Sequence, residues 1–113
     1  FDRLGLDKSA ILTQTRRAGM DIIEGKGSTE FGIGLALAQL AAAILGDQHR
    51  VLPVSVLLEG EYGQQGVHCG VPCRIGRRGI EEIVVLDLTQ QEQQQLDASC
   101  QVIRKHIALA DSL

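Results

Sequence analysis

The spacing of apolar residues changes period twice along this chain, dividing it into helical, extended and again helical stretches. Between Leu6 and Lys26, the residues Ile11, Leu12, Ala18, Ile22 and Ile23 recur at intervals that place them on one side of a helix, with "RR" and "DK" elsewhere. Gly25 and Gly27 are expected to end that helix. A second helix is predicted from about Phe31 to Leu45, with Ile33, Leu37, Leu40, Ala41 and Ile44 along its inner face. It is apolar nearly all round, which predicts burial on more than one side. Gly46 is expected to stop it in the left-handed conformation common just past helix C-termini.

The pattern then becomes extended. "RVLPVSVLLE" predicts a strand with Pro53 near its start or on an edge, because proline cannot donate to a ladder. "GEYGQQG" predicts a turn-rich loop. "VHCGVPCRI" and "IEEIVVLDL" predict two antiparallel strands joined through "GRRG", and Pro72 predicts that its strand is an edge or is bulged there. Helical spacing returns at "TQQE", a capping box in which Thr89 is the N-cap and Glu92 reaches back three residues. Leu96, Cys100, Ile103, Ile107 and Ala110 then mark one face of a helix running to the C-terminus. The expected fold is therefore α+β: two helices, a three-stranded antiparallel sheet and a long C-terminal helix. Strands and helices do not alternate as a parallel doubly wound sheet requires. At 113 residues the chain is long enough for one core and too short for two ordinary domains.

Composition narrows the partners. Hydrophobic residues are 44%, charged residues 22%, and the formal net charge is −3. This argues against nucleic acid, which demands a basic surplus. The one dense basic spot, "CRIGRRGI", reads as a charged hairpin turn. "IGLALAQLAAAIL" is too short to span a bilayer, and no basic-then-apolar leader opens the chain, so a cytoplasmic setting without a membrane partner is expected. The three cysteines, Cys69, Cys73 and Cys100, lack metal spacing. Cys69 and Cys73 share one face of a strand, and buried free thiols are the expected state. His49 falls in a loop, His68 in a strand and His106 in the last helix, none beside a nucleophile or paired carboxylate in sequence, so surface or structural roles are expected. Glu81 and Glu82 alternate faces of a strand and make a poor acid/base pair. No metal site is expected.

"IEGKGSTEFGIG", residues 23–34, concentrates glycines beside a lysine and hydroxyl residues, as phosphate loops do. A Walker loop requires lysine directly before Ser or Thr, and here Gly27 follows Lys26. A dinucleotide fingerprint requires a third glycine where Glu30 stands, and a strand before the loop. Spacing and context both fail. A tight turn between helices is expected instead, with Gly25 and Gly27 supplying backbone freedom and Ser28 or Thr29 capping the next helix. Taken alone, these residues describe an α+β domain of unstated function.

Three blocks carry a resemblance: "KGSTEFGIGLALAQLAAAIL", "VLPVSVLLEGEYG" and "GVPCRIGRRGIEEIVVLDLTQQEQQQLDAS". Together, in this order and from about Thr13 to His106, they resemble the carboxy-terminal half of the L-lactate dehydrogenases, within the lactate/malate dehydrogenase family. The resemblance implies an enzyme that moves a hydride between NADH and a 2-oxo acid, interconverting pyruvate and (S)-lactate, and assembles as a homodimer or homotetramer. It implies that residues 1–113 form the substrate domain, with the NAD-binding Rossmann domain outside this chain. It further implies that Thr29 faces the side chain of the 2-oxo acid, that Ile33 packs on the nicotinamide ring, and that Ala18 and Gly19 form the pocket wall. The family's G-E-H-G motif, which bears the catalytic histidine, has no counterpart here, so no histidine of this chain inherits that role. Malate dehydrogenases of the family tend to carry Ala-Pro where this sequence has Gly32-Ile33. The smaller Gly19 leaves room for a 2-oxo acid larger than pyruvate. Another L-2-hydroxyacid or malate dehydrogenase, and a stand-alone non-catalytic interaction domain, stay open as alternatives.

Overall fold

In the computed structural model, residues 5–112 are described; residues 1–4 and 113, at the ends of the expected domain, lie outside them. The elements run α1 (Lys8–Lys26), α2 (Glu30–Leu45), β1 (Arg50–Glu59), β2 (Gln65–Gly76), β3 (Gly79–Ile83) and α3 (Gln90–Ala110), with a short 3-10 turn at Glu61–Gly63. This is the expected α+β order. By internal contacts the chain falls into two units, Phe1–Gln39 and Leu40–Leu113.

In the first unit, α1 starts because the Asp7 carboxylate accepts from the Ser9 and Ala10 amides at 2.9 and 3.2 Å, quenching donors that the first helical turn leaves unpaired. It ends at Gly27 alone. Gly27 adopts φ 86° and its N–H reaches the Ile23 carbonyl at 2.8 Å, whereas Gly25 lies inside the helix. Apart from Thr29, every residue from 5 to 39 is exposed. The expected inner face of α2 is thus corrected: Ile33, Leu37 and Ala41 are exposed, and Ala43 is the one buried residue of that helix. Nor does α2 end as expected. Gly46 is not left-handed; Asp47 is, at φ 50°. The Gln48 N–H bonds the Ala43 carbonyl and the Asp47 N–H bonds the Ile44 carbonyl, a Schellman closure with Asp47 at the left-handed position. Glycine is needed at 46 for room, since a Cβ there would crowd the Ala42 carbonyl oxygen.

The second unit holds the core. The sheet order is β1-β2-β3, antiparallel throughout. The β1–β2 register sets Leu52 opposite Cys73, Val54 opposite Val71, Val56 opposite Cys69 and Leu58 opposite Val67, so one face of both strands is continuously apolar. Ala43, Cys100 and the partly buried Leu40, Ile44, Leu96 and Ile103 pack on that face. Leu58, Val67, Ile75, Cys73 and Cys100 have the largest fully buried side chains, and burying each aliphatic one stabilises the fold by about 1.5–3 kcal/mol. All three cysteines are buried and free, as expected; burial pushes the Cys73 and Cys100 thiols up, with neighbouring Cys69 adding to the shift at Cys100. The capping box of α3 forms as read: the Thr89 N–H donates to Glu92 Oε2 at 2.9 Å and the Glu92 N–H to Thr89 Oγ1 at 3.3 Å. Of its expected face, Ile107 and Ala110 are exposed.

Pro53 does lie on an edge strand. Pro72 does not, because β2 is the central strand, and the bulge falls between Arg74 and Ile75 rather than at the proline. The reconciliation is geometric. With Cys73 opposite Ile83, the next pair is Pro72 and Val84, and the Val84 N–H reaches the Pro72 carbonyl at 2.9 Å. Pro72 has no N–H to return. The ladder stops there, so "VVLDL" leaves the sheet where the sequence pattern predicts more strand. The orphaned Val84 carbonyl accepts instead from the Tyr62 hydroxyl at 2.8 Å, and that hydroxyl accepts from the Leu86 N–H at 3.1 Å.

Candidate functional site

The glycine-rich junction between α1 and α2 opens a cleft of about 550 Å³ lined by Gly19, Ile22, Gly25, Lys26, Thr29, Phe31, Gly32 and Ile33. Helix geometry explains the convergence. Thr29 immediately precedes α2 and Ile33 lies four residues on, in its first turn, and Gly19, Ile22 and Lys26 lie on the last two turns of α1 at spacings of three and four. A side chain added at Gly19, Gly25 or Gly32 would meet open space, so these glycines widen the cleft instead of relieving a clash. Three of the four residues singled out from the sequence, Gly19, Thr29 and Ile33, therefore share one cleft. Ala18, the fourth, is not among its lining residues.

The lysine of the loop is occupied by its neighbours. Lys26 Nζ lies 3.0 Å from Glu30 Oε1 and 4.1 Å from the centre of the Phe31 ring. The Ser28 hydroxyl, and then Lys26, hold the Glu30 carboxyl below its usual range. The Thr29 hydroxyl makes no hydrogen bond among the described residues, so it is free to face the cleft. What the arrangement offers chemically is an apolar wall with one hydroxyl and one neutralised cation: a surface for a flat ring and a small side chain. The aliphatic Ile33 side chain is 62% exposed. Among the described residues that line the cleft, the cation is Lys26, which is paired with Glu30.

A second constellation was not legible in the sequence. His49 Nδ1 lies 2.7 Å from Glu81 Oε2, and His49 Nε2 lies 3.5 Å from Asp47 Oδ1. The hydrogen bond with Glu81 raises the His49 pKa, and the Asp47 charge adds to it. Asp47 in turn accepts from the Arg77 N–H at 2.7 Å, which lowers its own pKa. Glu81 sits 32 residues from His49 and reaches it because β3 bulges: Arg74 pairs with Glu82 and Ile75 with Ile80, leaving Glu81 between them. Glu82 takes Arg74 instead, at 2.9 Å, so the two carboxylates have separate partners. Sequence reasoning had one clue, an Asp and a His two residues apart after a helix, and no means of seeing the bulge.

An antiparallel sheet covered on one face by a capped helix, preceded by two helices with an open cleft at their junction, defines the class: an α+β domain presenting an apolar subsite at a helix junction. The chain belongs to the lactate/malate dehydrogenase family, whose alpha/beta C-terminal domain profile matches residues 6–112. It is 43% identical over 108 residues to an L-lactate dehydrogenase of Fusobacterium nucleatum, covering 96% of this chain and 34% of that one. It is 47% identical over 85 residues to an L-lactate dehydrogenase of Lactobacillus helveticus, covering 75% of this chain and 26% of that one. Among solved structures it superimposes on a lactate dehydrogenase from a Medee basin deep-sea metagenome library with a TM-score of 0.87 at 36% identity, covering 96% of this chain and 33% of the other. It also superimposes on the malate dehydrogenase from Aeropyrum pernix with a TM-score of 0.83 at 36% identity, covering 88% and 35%. The chain spans about a third of the length of these relatives.

Proposed function

We propose that this chain is the substrate-domain portion of a cytoplasmic, NAD-dependent L-lactate dehydrogenase that interconverts pyruvate and (S)-lactate and assembles as a homodimer or homotetramer. The observation that carries the reading is the shared cleft: Gly19, Thr29 and Ile33, drawn from two helices, line one apolar space in a chain of this family. The curated relatives named above are L-lactate dehydrogenases, which favours the lactate reading over malate. Among the described residues no helix is long and apolar enough to cross a membrane.

In this reading Thr29 sets its methyl against the side chain of the 2-oxo acid, Gly19 lines the same cleft, and Ile33 offers an aliphatic surface to the nicotinamide ring. Bound NADH supplies the hydride. The contribution of these residues is positioning and exclusion of water, since none carries a proton-donating group near neutral pH. The open space at Gly19 points to tolerance of 2-oxo acids somewhat larger than pyruvate.

The test is steady-state kinetics of the full-length enzyme and its Thr29→Gly variant on pyruvate, 2-oxobutyrate, 2-oxoisocaproate and oxaloacetate with NADH. One lost methyl-sized contact costs about 10- to 200-fold in specificity. Pyruvate efficiency is expected to fall, while the longer acids lose less or gain. An unchanged ratio of pyruvate to 2-oxoisocaproate efficiency overturns the pocket role of Thr29. A preference for oxaloacetate in the unsubstituted enzyme overturns the lactate assignment.

A further inference from the structure

We propose that Asp47, His49 and Glu81 form a surface site for a divalent first-row transition metal ion of the zinc class, separate from the cleft. The three residues come from two segments, the loop between α2 and β1 and the β3 bulge, yet their ligand atoms all lie within 4.8 Å of one another. This is the one such group of His, Cys, Asp and Glu among the described residues. Zinc bonded to nitrogen and oxygen at about 2.0–2.2 Å wants ligand atoms about 3.4 Å apart in a tetrahedron. His49 now faces Glu81 with Nδ1 and Asp47 with Nε2, so side chains rotate to bring the set to that spacing, and three protein ligands leave a fourth position for water.

The donor chemistry selects the ion. One imidazole nitrogen with two carboxylate oxygens suits zinc, nickel or copper, whereas calcium and magnesium take oxygen ligands almost exclusively. With a neutral imidazole the set carries two negative charges, which a dication balances. Arg77 and Arg78 act on Asp47 through their charges and Arg74 acts on His49, while Arg74 is itself paired with Glu82, so a bound dication competes with part of this positive field. On binding, the metal replaces the proton between His49 Nδ1 and Glu81 Oε2, and that proton passes to solvent.

Backbone conformation and one outside anchor help to hold the donors, which also contact one another. Asp47 and His49 both hold left-handed backbone, at φ 50° and 52°, a region that Asp, Asn and His tolerate better than most residues. The Asp47 carboxylate is anchored by Arg77, a further link between the helix end and the hairpin turn. Glu81 projects over Gly76, where a methyl group would overlap its carboxylate; the glycine keeps that space clear. His49 remains accessible, its side chain 53% exposed, so an ion can reach it from solvent.

The test is calorimetric titration of the metal-stripped full chain with ZnCl2. One saturable site per chain is expected. Losing a direct ligand costs at least what losing an outer partner does, about 10- to 100-fold in affinity, so His49→Asn and Glu81→Gln are each expected to weaken binding at least about tenfold. Asparagine is tolerated in left-handed backbone, and the unfolding midpoint of each variant in the absence of metal verifies its fold. His68→Asn and His106→Asn are expected to bind as the unsubstituted protein does. Added Ni2+ should broaden amide resonances only around residues 46–51 and the facing hairpin, residues 74–82. No saturable uptake, uptake that survives both His49→Asn and Glu81→Gln, or uptake removed only by replacing the cysteines overturns the proposal.

Discussion

Single side chains decide where this chain starts, turns and opens. Asp7 is a case in which the charge itself is testable. Its pKa is lowered chiefly by the Ala10 amide, with Ser9 adding to it. A lowered carboxyl stabilises the fold above its unfolded pKa, and that contribution is lost as pH falls through the folded value. Helicity of α1 is therefore expected to be steady above pH ~4 and to drop below it. In Asp7→Asn the cap persists, because asparagine is an equally good N-cap, and the acid-side loss is expected to disappear; circular dichroism against pH checks both. If the two proteins lose helicity in parallel on acidification, Asp7 is not the titrating cap. Gly19 offers a second test. An added methyl meets no atom within 4 Å and Gly19 lies inside α1, so Gly19→Ala is expected to raise the unfolding midpoint, by about 0.5–1 kcal/mol of stability. In the full-length enzyme it is expected to lower efficiency on 2-oxoisocaproate relative to pyruvate, since only the larger acid uses that space. A fall in stability, or an unchanged substrate ratio, contradicts the cleft-wall reading.

Among the elements, the most informative boundary is the early end of β3. It follows from one missing N–H at Pro72 and one hydroxyl at Tyr62 that serves both Val84 and Leu86. Tyr62→Phe removes the hydroxyl and leaves a partly buried carbonyl and an amide without that partner, which costs about 1–3 kcal/mol. Urea denaturation of the variant measures it; a midpoint unchanged from the unsubstituted protein means that water replaces the hydroxyl at no cost. This boundary also shows what the sequence made legible. Period-two alternation revealed β1 over its full length and the buried face of β2, and "TQQE" revealed the start of α3, because each signal is local. The end of β3, the bulge at Glu81 and the left-handed Asp47 depend on which groups the partner strand or turn can donate, and that is decided across the fold. The cleft was partly legible for the same reason: Thr29 and Ile33 are four residues apart, whereas the place of Lys26 depends on Glu30 and Phe31 claiming its ammonium. The inner face predicted for α2 was misplaced because an all-apolar helix has no polar side to orient it.

For the molecule as a whole, the unusual quantity is uncovered apolar surface. Phe31 is 76% exposed and Leu35 63%, and Ile33, Leu37 and Met20 are also open. A soluble protein rarely leaves so many large apolar side chains clustered along two neighbouring helices. Under the proposed function, a nucleotide-binding domain and a second subunit would cover them, and groups outside these residues would supply the proton donor and the carboxylate ligands. Two outcomes follow for the purified 113-residue chain. It is expected to bind a hydrophobic-patch dye strongly and to self-associate in sedimentation, with both signals reduced by Phe31→Lys and Leu35→Glu, at two exposed positions. It is also expected to show no NADH-dependent pyruvate turnover, because general acid–base groups and electrostatic stabilisers each contribute about 10²- to 10⁴-fold and the cleft residues supply neither. A monodisperse monomer with no dye response would mean that the exposed helices need no cover. Turnover at a rate comparable to full-length lactate dehydrogenase would place the catalytic groups within these residues and end the positioning role argued for the cleft.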